Sequence, residues 1–167
     1  MKPLASIVVA LCLALALAAC GGDDDSTTGS TEAAASPAES DGVAEKTKPK
    51  VTVPEGAPPK KLEVRDLEAG TGAAAKAGDE VTVQYVGVNY KDGKEFDASW
   101  DRGEPFTFQL GAGMVIPGWD QGVAGMKVGG RRELIIPPDL AYGPEGSPPA
   151  IGPNETLIFV IDLLEAS

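Results

Sequence analysis

The capacity to bury a core is confined to one part of this chain. Across residues 21–60 the only large apolar side chains are Val43, Val51 and Val53, set among Gly, Asp, Ser, Thr, Ala, Pro, Glu and Lys. Such a stretch cannot bury enough apolar surface to offset the entropy of ordering it, so it reads as a disordered linker. As a flexible coil it would span roughly 35 Å r.m.s.. From Lys61 the composition changes, and β-branched and aromatic residues recur in short runs. The sequence therefore predicts a linker over 20–60 and one domain of ordinary size over 61–167. A domain of that length buries about 65% of its extended-chain surface, enough to stand alone.

Charge narrows the function classes. The chain carries 25 Asp and Glu against 14 Lys and Arg, a net charge of −11, and no His. An acidic chain lacks the basic surface that phosphate backbones require, so nucleic acid is not an expected partner. Without histidine there is no Ser-His-Asp or Cys-His machinery, and the commonest zinc ligand is missing. No metal and no cofactor are expected. Asp23 to Asp25 read as a solvated charge run rather than a cation site. With 21 Gly and 14 Pro, the chain must hold many turns.

The first residues read as a targeting segment. Leu4 to Ala19 is apolar and uncharged and follows Lys2. A spanning helix needs about 20 apolar residues, and this run falls short, so it reads as an export signal. Its ending, Leu17-Ala18-Ala19-Cys20, resembles the lipobox of bacterial lipoproteins, in which lipid is attached to the Cys thiol and cleavage occurs just before it. Residues 1–19 are then a lipoprotein signal peptide and Cys20 the lipidation site. The alternative is a plain secretory peptide cut near Ala19, leaving Cys20 as a free thiol, a liability after export. Cys12 would leave with the signal, so the mature chain has no disulfide and its domain must hold by packing. Each buried lipid CH₂ contributes about 0.8 kcal/mol, so two or three acyl chains would anchor the protein firmly. The expected location is the extracytoplasmic face of the cell membrane.

Within 61–167 the pattern is mostly of period two. Leu62 to Leu67, Val81 to Tyr85, Phe106 to Leu110, Arg132 to Ile136 and Leu157 to Ile161 read as strands, and Asp92-Gly93 as a hairpin turn with Phe96 resuming the apolar pattern. The last strand is apolar on both faces and should lie centrally, under a covering element. One helix is credible: Pro117 fits its first turn, and Trp119 and Val123 share a face. Gly122 and Gly125 should limit its length. The fold class is α+β, with five or six antiparallel strands and one short helix. Two motifs are decoys. Gly70-Thr71-Gly72 mimics a dinucleotide fingerprint but has no room for the helix that would follow, so it reads as a tight turn. Asn154-Glu155-Thr156 matches a glycosylation sequon by chance.

The chain has two Trp, three Tyr and four Phe. Tyr85, Phe96, Phe106, Phe108, Trp119, Tyr142 and Phe159 all fall in the folded part, and each alone reads as core. Taken together, Tyr85, Phe96, Asp97, Val115, Ile116, Trp119, Tyr142 and Phe159 suit an aromatic-floored pocket with one carboxylate and one phenol, apt for a flat, nearly neutral group.

These residues sit in blocks that resemble the FKBP-type peptidyl-prolyl isomerases. The blocks are Val83-Gln84-Tyr85-Val86-Gly87, Asp92-Gly93-Lys94-Glu95-Phe96-Asp97-Ala98-Ser99, Pro105-Phe106-Thr107-Phe108, Val115-Ile116-Pro117-Gly118-Trp119-Asp120-Gln121-Gly122-Val123, Met126-Lys127-Val128-Gly129-Gly130-Arg131-Arg132 and Pro137-Pro138-Asp139-Leu140-Ala141-Tyr142-Gly143. The resemblance covers Lys61 to Glu165 and implies a twisted antiparallel sheet wrapped around one short helix. It implies Trp119 as the pocket floor that receives a proline ring. Tyr85, Phe96, Val115, Ile116 and Phe159 are its walls, and Ile151 also falls in the substrate site. The Ile116 N–H is a donor to the peptide, Tyr142 a phenol that bonds substrate, and Asp97 the carboxylate beside the imide. Arg102 and Phe106 steady that region. Asp97, Trp119, Tyr142 and Phe159 are thus the catalytic set.

Ser147, Leu140 and Ala150 are smaller or less aromatic than is frequent in the family and should make a smaller pocket rim. The implied partners are proline-containing exported polypeptides and macrolide inhibitors, with the protein acting as a monomer. Two further readings stand beside the enzyme. One is a non-catalytic proline-binding or chaperone module on a lipid anchor. The other is a lipid-anchored solute receptor, against which a single small domain argues.

Overall fold

The computed structural model describes residues 46–167. The expected signal over 1–19, the lipidated Cys20 and the linker as far as residue 45 lie outside the described residues. One antiparallel sheet contains β1 (Glu63–Glu68), β2 (Glu80–Asn89), β3 (Glu95–Ala98), β4 (Phe106–Gln109), β5 (Arg131–Ile136) and β6 (Leu157–Ala166). The strand order is β1-β5-β6-β2-β3, and β4 pairs with the start of β2, from Glu80↔Gln109 to Val83↔Phe106. The fold is the expected α+β arrangement with six strands. Helix α2 (Pro117–Val123) packs on the sheet, and a single turn, α1 (Ser99–Arg102), follows β3 directly.

The doubly apolar strand is central. β6 lies between β5 and β2 and is buried without a break from Leu157 to Leu163. β2 runs four residues beyond the stretch read from alternation because Val86 to Asn89 are buried on both faces, which erases the period-two signal. On the inner face Val83, Tyr85, Leu134, Ile136, Phe159 and Ile161 pack with Trp119 and Val123 of α2. On the outer face Val86, Val88, Ile135 and Ile158 form a second cluster.

The outer cluster is covered by Trp100 and by Val51 and Val53, residues that composition alone assigns to the linker. Residues 46–60 lie along the sheet as a strap. Lys46 Nζ sits 2.8 Å from Glu68, Arg131 donates to the Thr47 carbonyl at 2.8 Å, and Lys48 Nζ bridges Glu95 at 2.9 Å and Asp101 at 2.7 Å. Two valines cannot build a core. They can complete a patch that three strands already present, and a count of apolar residues per stretch does not see that.

α2 meets the sheet through glycine. A Cβ at Gly118 would fall 2.4 Å from Ile136 Cγ2, and one at Gly122 would fall 2.6 Å from Leu134 Cδ1. Gly122 therefore lies inside the helix as a point of close approach rather than as its stop. Gly125, at φ +76°, follows the helix end. Arg132 closes that end: its guanidinium donates to the Gly122 and Ala124 carbonyls at 2.8 and 3.3 Å. It also grips both oxygens of Asp66, at 2.6 and 3.1 Å, which holds the Asp66 carboxyl below its usual range. Gly70 and Gly72 serve the same steric purpose at the turn before β2. The Gly72 N–H donates to the Val128 carbonyl at 3.0 Å, and a Cβ at Gly70 would fall 2.3 Å from the Lys127 carbonyl oxygen.

Gly118→Ala should lift α2 off β5 and lower the thermal midpoint of the full chain, a loss of about 1–3 kcal/mol for overpacking. An unchanged midpoint would mean that the helix does not need that contact distance.

Candidate active site

Trp119 is placed by the way α2 begins. Pro117 opens the helix, the Trp119 N–H donates to the Ile116 carbonyl at 2.9 Å, and the indole is left only 4% exposed. It stands edge-on to Tyr85 at 5.1 Å and 83°, and to Phe159 at 5.2 Å and 90°. Phe96 meets Phe159 edge-on at 5.6 Å. These contacts follow the edge-to-face preference of aromatic rings, which adds to area burial. The Phe96–Phe159 contact depends on Gly87, where a Cβ would fall 2.7 Å from the Phe96 ring and 2.8 Å from the Phe159 ring.

Above the indole is a hollow of about 410 Å³. Tyr85, Phe96, Asp97, Phe106, Val115, Ile116, Trp119, Tyr142 and Phe159, all named from the sequence, line it together. Two predicted residues do not. Arg102 stands behind the wall, donating to Tyr85 Oη at 2.9 Å and to Asp97, with its guanidinium 5.5 Å from the Tyr85 ring centre. Ile151 lies in the core at 4% exposure. Its N–H and carbonyl pair with Ser147 at 3.0 and 2.9 Å, closing a small hairpin beneath the loop. Leu140, Ser147 and Ala150 do not line the hollow either. A larger depression of about 680 Å³ between Val53–Pro58 and Gly152–Thr156 shares no residue with it and has Tyr90 as its single aromatic ring.

Asp97 is held at both oxygens. One accepts from the Tyr85 hydroxyl and the other from Arg102. Ser99 sets this geometry: it is fully buried at the start of α1, and its Oγ accepts the Tyr85 N–H at 2.8 Å, tying α1 to β2. Sequence reasoning gave Ser99 no role, although it ends the block that contains Asp97. It also missed Met114, which lines the hollow and is 67% exposed. The signal available was its place between the Gly111-Ala112-Gly113 turn and the wall residues Val115 and Ile116.

Burial pushes the Tyr85 phenol up from its ordinary 10.0, and the Asp97 bond adds to this while Arg102 opposes it. The Tyr142 phenol is raised by burial and then by the Asp97 charge. Both phenols stay neutral donors at physiological pH. An apolar, ring-floored cavity with a neutralised ion pair and a phenol at its wall can take a small apolar ring out of water. It offers no activated nucleophile.

The family model described as FKBP-type peptidyl-prolyl cis-trans isomerase matches residues 72–164. The chain belongs to that family. Its relatives include an FK506-binding protein of Streptomyces anulatus, 61% identical over 118 residues that cover 70% of this chain and 95% of the relative. A probable FK506-binding protein of Corynebacterium glutamicum is 50% identical over 119 residues, 71% of this chain and 98% of the relative. Among solved structures, FkpA from Escherichia coli aligns with a TM-score of 0.58 at 49% identity, covering 64% of this chain and 48% of FkpA. AtFKBP13 aligns with a TM-score of 0.59 at 40% identity, covering 64% of this chain and 93% of its own. The protein is thus a peptidyl-prolyl cis-trans isomerase, acting on proline-containing peptides.

Because both isomerase phenols bind their proton more tightly in the folded state, the stability they contribute is present below pH 10 and is lost as pH rises through the raised values. Absorbance at 295 nm, compared with Tyr85→Phe and Tyr142→Phe, should show both phenols titrating with midpoints above the ordinary 10.0. A midpoint below that value for either would contradict the site's electrostatics.

Proposed function

We propose that this isomerase assists the folding of exported proteins from the outer face of the cytoplasmic membrane, tethered by lipid on Cys20. The support for the tether is in the sequence: a short uncharged apolar run after Lys2 that ends in Leu17-Ala18-Ala19-Cys20, and a polar stretch after it long enough to hold a domain off a surface.

The mechanism follows from the cavity. Resonance raises the barrier to amide rotation to about 18–20 kcal/mol. For X-Pro bonds the two isomers are close in energy, yet exchange is slow. Rotation removes C–N conjugation, leaving the nitrogen more basic and the carbonyl less polarised. In this reading the proline ring rests on Trp119 between Tyr85, Phe96 and Phe159, and a dry site disfavours the dipolar planar imide relative to the twisted one. The Ile116 N–H and the Tyr142 phenol hold the peptide. Asp97 acts electrostatically and by position, not as a proton acceptor. The observation that carries this role is that Tyr85 and Arg102 already occupy both its oxygens. The same pocket would take a macrolide such as FK506, for which the two bacterial relatives are named.

The full chain should accelerate cis-trans exchange of a Leu-Pro or Phe-Pro peptide, and the macrolide should inhibit it competitively. Turnover equal to buffer would leave the non-catalytic proline-binding reading in its place. Cys20→Ser should move the protein from the membrane fraction to the soluble one, and unchanged partitioning would refute the lipid anchor.

A further inference from the structure

The charge set of the site is carried by two small elements, Asp97 on β3 and Arg102 at the end of α1. The sheet holds β3 from one side. It has four residues, ends the strand order and pairs with β2, with a register shift between Gly87 and Val88. α1 is a single turn, tied to β2 at its first residue, Ser99. The relative position of Asp97 and Arg102 therefore depends on what else grips these elements.

One strap residue meets both. Lys48 Nζ lies 2.9 Å from Glu95 Oε1, at the start of β3, and 2.7 Å from Asp101 Oδ1, beside Arg102 in α1. Lys48 is fixed in turn through its neighbour. The Thr47 carbonyl accepts Arg131 Nη2 at 2.8 Å. Arg131 holds both oxygens of Asp162, each at 2.7 Å, and Asp162 is 1% exposed on the central strand β6. The ammonium is thus carried from the middle of the sheet to its edge. Asp101, then Glu95, raise the Lys48 ammonium above its ordinary 10.5, and Lys48 holds the Asp101 carboxyl below its usual range.

An exposed ion pair contributes little to stability, so the consequence of this one is positional. Without the ammonium, two carboxylates that share one nitrogen repel each other across β3 and α1. Arg102, next in the chain to Asp101, is then drawn away from Asp97. We propose that Lys48 is a positioning residue of the isomerase: by neutralising Glu95 and Asp101 together it holds β3 to α1 and keeps Arg102 on Asp97 and the Tyr85 hydroxyl. The inference rests on the reading of Asp97 as the carboxylate beside the rotating imide. It makes the strap part of the active-site frame.

The test uses the full chain and a Leu-Pro peptide. Lys48→Ala should lower kcat/KM roughly three- to tenfold, less than the hundredfold or so that an ångström of misplacement can cost. Lys48→Arg should keep the wild-type value. Asp101→Asn added to Lys48→Ala should also recover it, because it removes the repulsion without remaking the strap's bond. Unchanged kcat/KM in Lys48→Ala, or a loss that either of the other two variants fails to avoid, would overturn the proposal. In the isotope-labelled chain the Asp97 amide resonance should move in Lys48→Ala and stay in place in Lys48→Arg. If the wild-type chain shows no turnover, the isomerase reading fails separately and this resonance decides: one that does not move in Lys48→Ala overturns the proposal equally.

Discussion

The indole of Trp119 stands edge-on to Tyr85 and Phe159, and the site depends on that contact being dry and fixed. Three strands and one helix converge to make it. β2 supplies Tyr85, β3 supplies Phe96, β6 supplies Phe159, and α2 supplies the indole. The helix can come so close only because Gly118 and Gly122 present no Cβ to Ile136 and Leu134. Phe96 and Phe159 can meet only because Gly87 leaves space for them. The absence of three side chains therefore governs the cavity as much as the rings do.

The charges are kept to one side of this floor. Asp97 of β3 pairs with Arg102 at the end of α1, with the Tyr85 hydroxyl completing the set. A carboxylate alone beside an apolar cavity would draw in water. Paired, it leaves a local field and a positioned phenol without a free ion. Tyr85 thus belongs to both parts of the site, its ring to the floor and its hydroxyl to the charge set. This division suits a reaction in which a bond rotates and no bond to hydrogen breaks.

Much of this could be read from the residues, and the exceptions have physical causes. The β6 run, the Asp92-Gly93 hairpin and the Pro117 helix start each carry a local signal, and the ordered blocks carry the pocket. Ile151 is assigned to the substrate site by the resemblance alone. A backbone bridge to Ser147 closes its hairpin, and the residue is buried in the core instead. Met114 carries only a positional signal, its place beside Val115 and Ile116, because its exposure is decided by the turn that presents it. The strap over residues 46–60 was missed because its valines contribute only once the outer face of the sheet exists to receive them.

The most direct test of the account is kcat/KM for a Leu-Pro peptide in Trp119→Ala and Phe159→Ala, beside Trp100→Ala, which alters an indole packed on the opposite face of the sheet. The account predicts a loss of about tenfold or more for each pocket variant, since each removes a buried ring worth some kcal/mol of apolar contact. It predicts near wild-type turnover for Trp100→Ala. Equal activity in all three, with folded thermal profiles, would contradict it.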